Sequence, residues 1–201
     1  MGTRVALSFS GGKDSCFALH KLQEKNIEIA CLFTTIWKQN QKTVAHEEER
    51  TRIIEQGESL NIPVHFIETD FDDYREDFVR NLQKLKNRYV LDGVAFGDIY
   101  LEGHRKWGEG VAKDVDLEAV YPLWTKQDNA LRLLQEFVDT GFRAEVIKID
   151  QEKLPKDWLG RELDNTFITD IKQKDVCPMG ESGEYHTAVY DGPGFSYAIL
   201  R

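Results

Sequence analysis

Short apolar runs alternate strictly with amphipathic stretches across the first two-thirds of this chain, and that alternation restricts its fold more than any other feature. Residues 4–9, 27–35, 63–67, 90–96 and 117–123 read as strands, and 13–25, 46–60, 72–89 and a stretch within 103–116 read as helices. The run from Ile29 to Phe33 is continuously apolar, which suits a parallel strand covered on both faces. In the third helix Phe78, Leu82 and Leu85 fall on one side, after an acidic first turn. Strand and helix in strict repetition predict an α/β fold with a doubly wound, parallel, five-stranded sheet. In such a sheet every strand ends at one edge, and ligands bind there. Ser10-Gly11-Gly12 and Gly97-Asp98 both fall at strand ends of this kind.

Beyond about residue 127 the pattern changes. Residues 129–140 read as a helix stopped by Gly141, 142–149 as a strand, 157–172 as turn then helix, and 185–190 as a strand before Asp191-Gly192-Pro193-Gly194. The expected organisation is a ligand-binding unit over 1–127 and a smaller α+β subdomain over 128–201.

The turn between the first strand and the first helix reads Ser10-Gly11-Gly12-Lys13-Asp14-Ser15. Two glycines let the backbone turn tightly and approach a ligand with no Cβ in the way. The helix beginning near Lys13 offers unpaired N–H groups and a partial positive charge, which together attract an anion. Lys13 and the hydroxyls of Ser10 and Ser15 complete a plausible cradle for a diphosphate. Neither the Walker A spacing nor the dinucleotide fingerprint is present. The structural alternative is Ser10 as a helix cap with the glycines as a tight turn.

The segment Gly180-Glu181-Ser182-Gly183-Glu184-Tyr185-His186-Thr187 places two carboxylates, an imidazole, a phenol and a hydroxyl between glycines. Such groups orient ammonia, hold Mg2+ or move a proton. On a strand, Glu184 and His186 share one side and Tyr185 takes the other. The alternative is a polar approach to a hairpin with a hydrogen-bonded histidine. Asp98 is a candidate for substrate orientation or Mg2+, or else a helix cap. His104 and Arg105 either meet a ligand at this edge or lie on an exposed helix face. Trp107, Trp124 and Trp158 read as packing residues. Glu47-Glu48-Glu49 reads as a solvated helix face, and His20, His46 and His65 show no ligand spacing.

Lys plus Arg total 26 against 35 acidic residues, so bulk nucleic acid and anionic membrane should be repelled. The longest apolar runs span only four or five residues and the N-terminus is not signal-like, so neither a membrane span nor a leader is expected. Cys16, Cys31 and Cys177 are widely spaced, which suits free buried thiols in a reducing, cytoplasmic setting.

The hexapeptide from Ser10 to Ser15 resembles the PP-loop of the N-type ATP pyrophosphatases, which have an adenine nucleotide alpha hydrolase-like fold and split ATP between its α and β phosphates. The resemblance implies Ser10, Gly11, Gly12, Lys13, Asp14 and Ser15 around the pyrophosphate, with Mg2+ at Asp14. Further matches run in order through the chain: 94–99, Pro122-Leu123-Trp124, 141–148, Leu159-Gly160, the Gly-Glu-x-Gly-Glu-Tyr-His-Thr stretch and Asp191-Gly192-Pro193. Together they resemble the diphthine–ammonia ligase family. That likeness implies ATP and ammonia as reactants and a carboxylate-bearing acceptor, either protein-borne diphthine or a small molecule. A homodimer is an assembly it leaves open. Gly97, Asp98, His104, Arg105, Glu181, Gly183, Glu184, Tyr185, His186 and Thr187 then line the acceptor side, with Lys13, Asp14, Asp98, Glu184 and His186 in catalytic roles.

The sequence departs from the family over Tyr100-Leu101-Glu102-Gly103-His104-Arg105-Lys106-Trp107, where a polar Tyr-Gln-Arg stretch is usual, at Ala188, where Phe is frequent, and at Cys177-Pro178-Met179, which lengthens the approach to Gly180. These departures leave the 10–15 turn untouched and fall where the second substrate should sit. The expected activity is carboxylate adenylation followed by displacement of AMP by ammonia. RNA thiolation by the same adenylation chemistry and a non-catalytic nucleotide-sensing module are the alternatives. Asp14→Ala or Lys13→Ala is expected to stop AMP formation with the fold intact.

Overall fold

The computed structural model describes residues 2–44 and 49–200. Five strands, β1 (Arg4–Ser8), β2 (Glu28–Trp37), β3 (Val64–Thr69), β4 (Gly93–Ala95) and β5 (Glu118–Val120), form one sheet in the order β3-β2-β1-β4-β5. Every pairing in it is parallel. Four helices connect these strands in turn: α1 (Lys13–Glu24), α2 (Arg50–Ser59), α3 (Tyr74–Tyr89) and α4 (Glu102–Asp114).

Alternation along β1 sorts the core into two layers. Val5 and Leu7 join Cys16, Phe17 and Leu22 of α1 and Ile53 of α2 on one face. Ala6 points to the other, where Phe78, Leu82 and Leu85 of α3 meet Val111 and Ala112 of α4. With both faces covered, the apolar run from Ile29 to Phe33 in β2 costs little in exposure. The sheet order reverses between β1 and β4, so a crevice opens outside the C-terminal ends of those two strands.

The remaining elements are α5 (Ala130–Asp139), β6 (Arg143–Ile149), α6 (Asn165–Ile171) and β7 (Tyr185–Asp191), with β6 and β7 antiparallel. This part has no separate core. Phe137 meets Phe17 edge-on at 5.8 Å and stacks on Phe142 at 5.2 Å, within the same cluster as Val5 and Leu7.

Some boundaries differ from the sequence reading. The fourth strand begins at Gly93, because Val90 closes α3 in a left-handed conformation (φ 52°) and cannot also start a strand. The fifth ends at Val120, because the backbone turns at Pro122. The second helix is described from Arg50; His46, Glu47 and Glu48 lie outside the described residues. All three cysteines are buried and unpaired. Among the described residues no helix is long and apolar enough to cross a membrane.

Candidate active site

The glycine turn is held from behind by distant parts of the chain. Gly11 has φ +77°, and a Cβ there would lie 2.3 Å from Gln56 Oε1 and 2.8 Å from Ile53 Cδ1. Gln56, fully buried on α2, donates through Nε2 to the carbonyls of Gly11 (2.8 Å) and Val189 (2.7 Å). The Val189 amide of β7 donates to the same Gly11 carbonyl at 3.0 Å. Two segments, α2 and β7, therefore fix one peptide. Sequence reasoning missed Gln56, although it lies three residues after Ile53 on a core-facing stripe. A buried amide in that position requires partners.

Gly12 precedes α1 in extended conformation and no side chain caps the helix. Ser10 Oγ is 3.5 Å from the Gly12 amide, too long for a cap, so the simple capping alternative is not realised. Thr187 Oγ1 instead accepts from the Lys13 amide at 3.0 Å. The first-turn amides of Asp14 and Ser15 precede the first intrahelical acceptor and belong to residues that line the crevice. Gly97 allows the end of β4 to approach this turn, since a Cβ there would lie 3.2 Å from the Asp14 carbonyl carbon.

The crevice is an open cleft of about 570 Å³ lined by Ser10, Asp14, Ser15, Gly97, Asp98, His104, Gly180, Glu181, Ser182, Gly183 and His186, with Ser8, Phe96 and Leu101. Glu181 reaches it from the C-terminal part and accepts the Ile99 amide on Oε1 at 3.0 Å, which ties the 180–183 loop to the end of β4. His104 Nδ1 lies 3.0 Å from Asp98 Oδ1. That bond supersedes the helix-cap reading of Asp98, because α4 is preceded by Leu101 and has no side-chain cap.

Acidic groups dominate the electrostatics. Burial raises the Asp14 carboxyl above its ordinary value against the opposing pull of Lys13, and Asp98 raises it further. Burial likewise pushes Glu181 up to about 7, with Asp14 and Asp98 adding to the rise. The Asp98 hydrogen bond raises His104, and partial burial opposes it. Asp14 Oδ1 is buried and has no hydrogen-bond partner among the described residues. An orphaned carboxylate oxygen among other acidic groups fits the oxygen ligand that magnesium takes.

Several expected residues have other surroundings. Lys13 is 2% exposed; its Nζ bonds Asp14 Oδ2 at 2.9 Å and lies 4.9 Å from the Tyr185 ring centre. Its charge is spent on Asp14, and it does not line the cleft. Glu184 is buried and accepts the amides of Ser182 (2.9 Å) and Cys177 (3.3 Å), so it shapes the loop from beneath. Tyr185 is a core residue whose hydroxyl donates to the Pro178 carbonyl at 2.6 Å. Thr187 is buried behind α1. Arg105 pairs with Glu109 and lies over Trp124 at 4.8 Å, on the helix surface away from the cleft. A charged side chain with an i+4 partner on its own helix gains little by turning inward.

Two family models account for nearly the whole chain: the diphthamide synthase N-terminal domain matches residues 3–119, and the diphthamide synthase C-terminal domain matches 129–200. The diphthine–ammonia ligases of Bos taurus and Homo sapiens are each 28% identical over 222 residues, which cover 98% of this chain and 82% of theirs. The Schizosaccharomyces pombe protein of the same name is 29% identical over 95% of this chain and 35% of its own length. Among solved structures, a U34-tRNA thiolase from Methanococcus maripaludis is similar at TM-score 0.43 and 17% identity, over 68% of this chain and 56% of that one.

Proposed function

Because the chain belongs to the diphthamide synthase family, we propose that it is an ATP-dependent carbon–nitrogen ligase that adenylates a carboxylate and lets ammonia displace AMP. One observation carries this reading: the 10–15 turn and the 180–183 loop, one from each matched domain, line a single cleft. Joining a nucleotide and an acceptor in one space makes a bimolecular step local.

In the first step an acceptor carboxylate oxygen attacks the α-phosphorus of ATP. The bond from that phosphorus to its bridging oxygen breaks, and pyrophosphate leaves. First-turn amides of α1, with the hydroxyls of Ser10 and Ser15, take the pyrophosphate oxygens. Asp14 would hold a magnesium ion, whose chemistry there would be positive charge beside the phosphates. Lys13 offsets part of the charge of Asp14 from behind, which keeps that carboxylate available.

In the second step the ammonia nitrogen attacks the acyl carbon, the carbon–oxygen bond to AMP breaks, and a proton leaves the nitrogen. His186, which lines the cleft, receives that proton. Gly97, Asp98, Gly183 and His186 border the acceptor. Diphthine is the acceptor that the relatives' name specifies for them, and we assign the same class here.

The test is incubation with Mg-ATP, ammonium and either a diphthine-bearing protein or free carboxylates. AMP and pyrophosphate should form in equal amounts, only when ammonium and an acceptor are both present. ADP as the product would overturn the ligase. Nucleotide binding without turnover on any acceptor would indicate a sensing module.

A further inference from the structure

Asp98, His104 and Glu181 each present a ligand atom to the cleft, and the three atoms lie within 4.8 Å of one another. We propose that these residues form a binding site for a first-row divalent metal ion of the manganese-to-zinc class, separate from the nucleotide's magnesium. An ion bonded at roughly 2.0–2.2 Å to nitrogen and carboxylate oxygen needs donors about 3–4 Å apart. The Asp98–His104 pair already stands at 3.0 Å, and small side-chain rotations bring in Glu181.

The donor set decides the class of metal. Magnesium prefers oxygen ligands and keeps several waters, whereas an imidazole nitrogen favours zinc, iron, cobalt or nickel. Two carboxylates and one imidazole neutralise a divalent ion and leave positions open to the cleft. Charge is consistent with the assignment, since Lys13 is already paired with Asp14 and does not line the cleft. The orphaned Asp14 Oδ1 adds a further acceptor in the same cleft with no donor to meet it.

The site also has a mechanical consequence. Asp98 and His104 flank the start of α4, while Glu181 comes from the C-terminal loop. A bound ion ties the two sides of the cleft together beside the Ile99–Glu181 bond.

The experiment uses the full chain without nucleotide, so it stands or falls apart from the ligase reading. Co2+ is titrated by its visible absorption, Zn2+ and Mg2+ by calorimetry, and melting is followed with and without Zn2+. The native protein should bind one equivalent of Co2+ or Zn2+ in preference to Mg2+ and melt at a higher temperature when loaded. His104→Ala should lose the Co2+ band, bind Zn2+ at least about tenfold more weakly, and lose the thermal gain, since even outer partners of a metal ligand commonly cost that much. The His104 side chain is 58% exposed, so the variant keeps its fold. Buried cysteines leave little thiol background. Equal binding by native protein and variant, no Co2+ or Zn2+ binding at all, or Mg2+ bound as tightly as Zn2+ would each overturn the assignment.

Discussion

Asp14→Asn should yield a folded protein whose AMP formation has fallen by roughly 10²–10³ or more, the usual effect of removing one preorganised partner of the developing charge. The substitution keeps the shape of the side chain and removes the charge that faces the phosphates. Some stability should be lost as well, because the substitution leaves the buried Lys13 ammonium without its carboxylate partner. The readouts are the melting temperature and the rate of AMP release under saturating Mg-ATP. Undiminished AMP release would remove Asp14 from the site. Lys13 is a poorer probe than the sequence suggests. Its buried ammonium is packed on Tyr185 and paired with Asp14, so Lys13→Ala takes a cation from behind a buried carboxylate and threatens the fold itself.

Gly11→Ala should be the most damaging single-methyl change in the turn. Alanine in a left-handed conformation costs about 1–2 kcal/mol, and overpacking a filled site typically costs about 1–3 more. Gln56 cannot move aside without losing its bonds to the Gly11 and Val189 carbonyls. For a chain of this length the sum corresponds to a fall in melting temperature of roughly 5–15 °C, together with loss of nucleotide binding. Gly103→Ala is the matched control. Gly103 lies in the first turn of α4, a Cβ there meets nothing within 4 Å, and alanine should stabilise that helix by up to about 1 kcal/mol. Equal melting temperatures for Gly11→Ala and the native protein would show that the turn is not fixed as described.

How much of this could be read from residues alone follows from the range of each interaction. The sheet was legible because alternation and continuous apolar runs are local properties of β1 to β5. The tight turn between β1 and α1 was legible because two glycines between a strand and a helix restrict the backbone locally, and the position of Gly97-Asp98 beside it because strand ends share one edge. The side-chain partners were not. Thr187 meets the Lys13 amide across 174 positions, and Gln56 meets Val189 across 133. No local pattern specifies such pairs. Lys13 reads as a phosphate ligand beside two glycines, yet its direction is set by Tyr185, which arrives from β7. Glu184 looks equivalent to Glu181 in sequence. The left-handed Gly180 and Gly183 bend the loop so that Glu181 enters the cleft and Glu184 turns onto backbone amides.

The decisive measurement is a crystal structure with magnesium and α,β-methylene-ATP, whose α–β linkage cannot be cleaved. The β and γ phosphates should lie on the first-turn amides of α1, against Ser10, Gly12 and Ser15, with the metal at Asp14 and the α-phosphate facing the 180–183 loop. Phosphates bound elsewhere, with the turn between β1 and α1 left to solvent, would contradict the mechanism at its root.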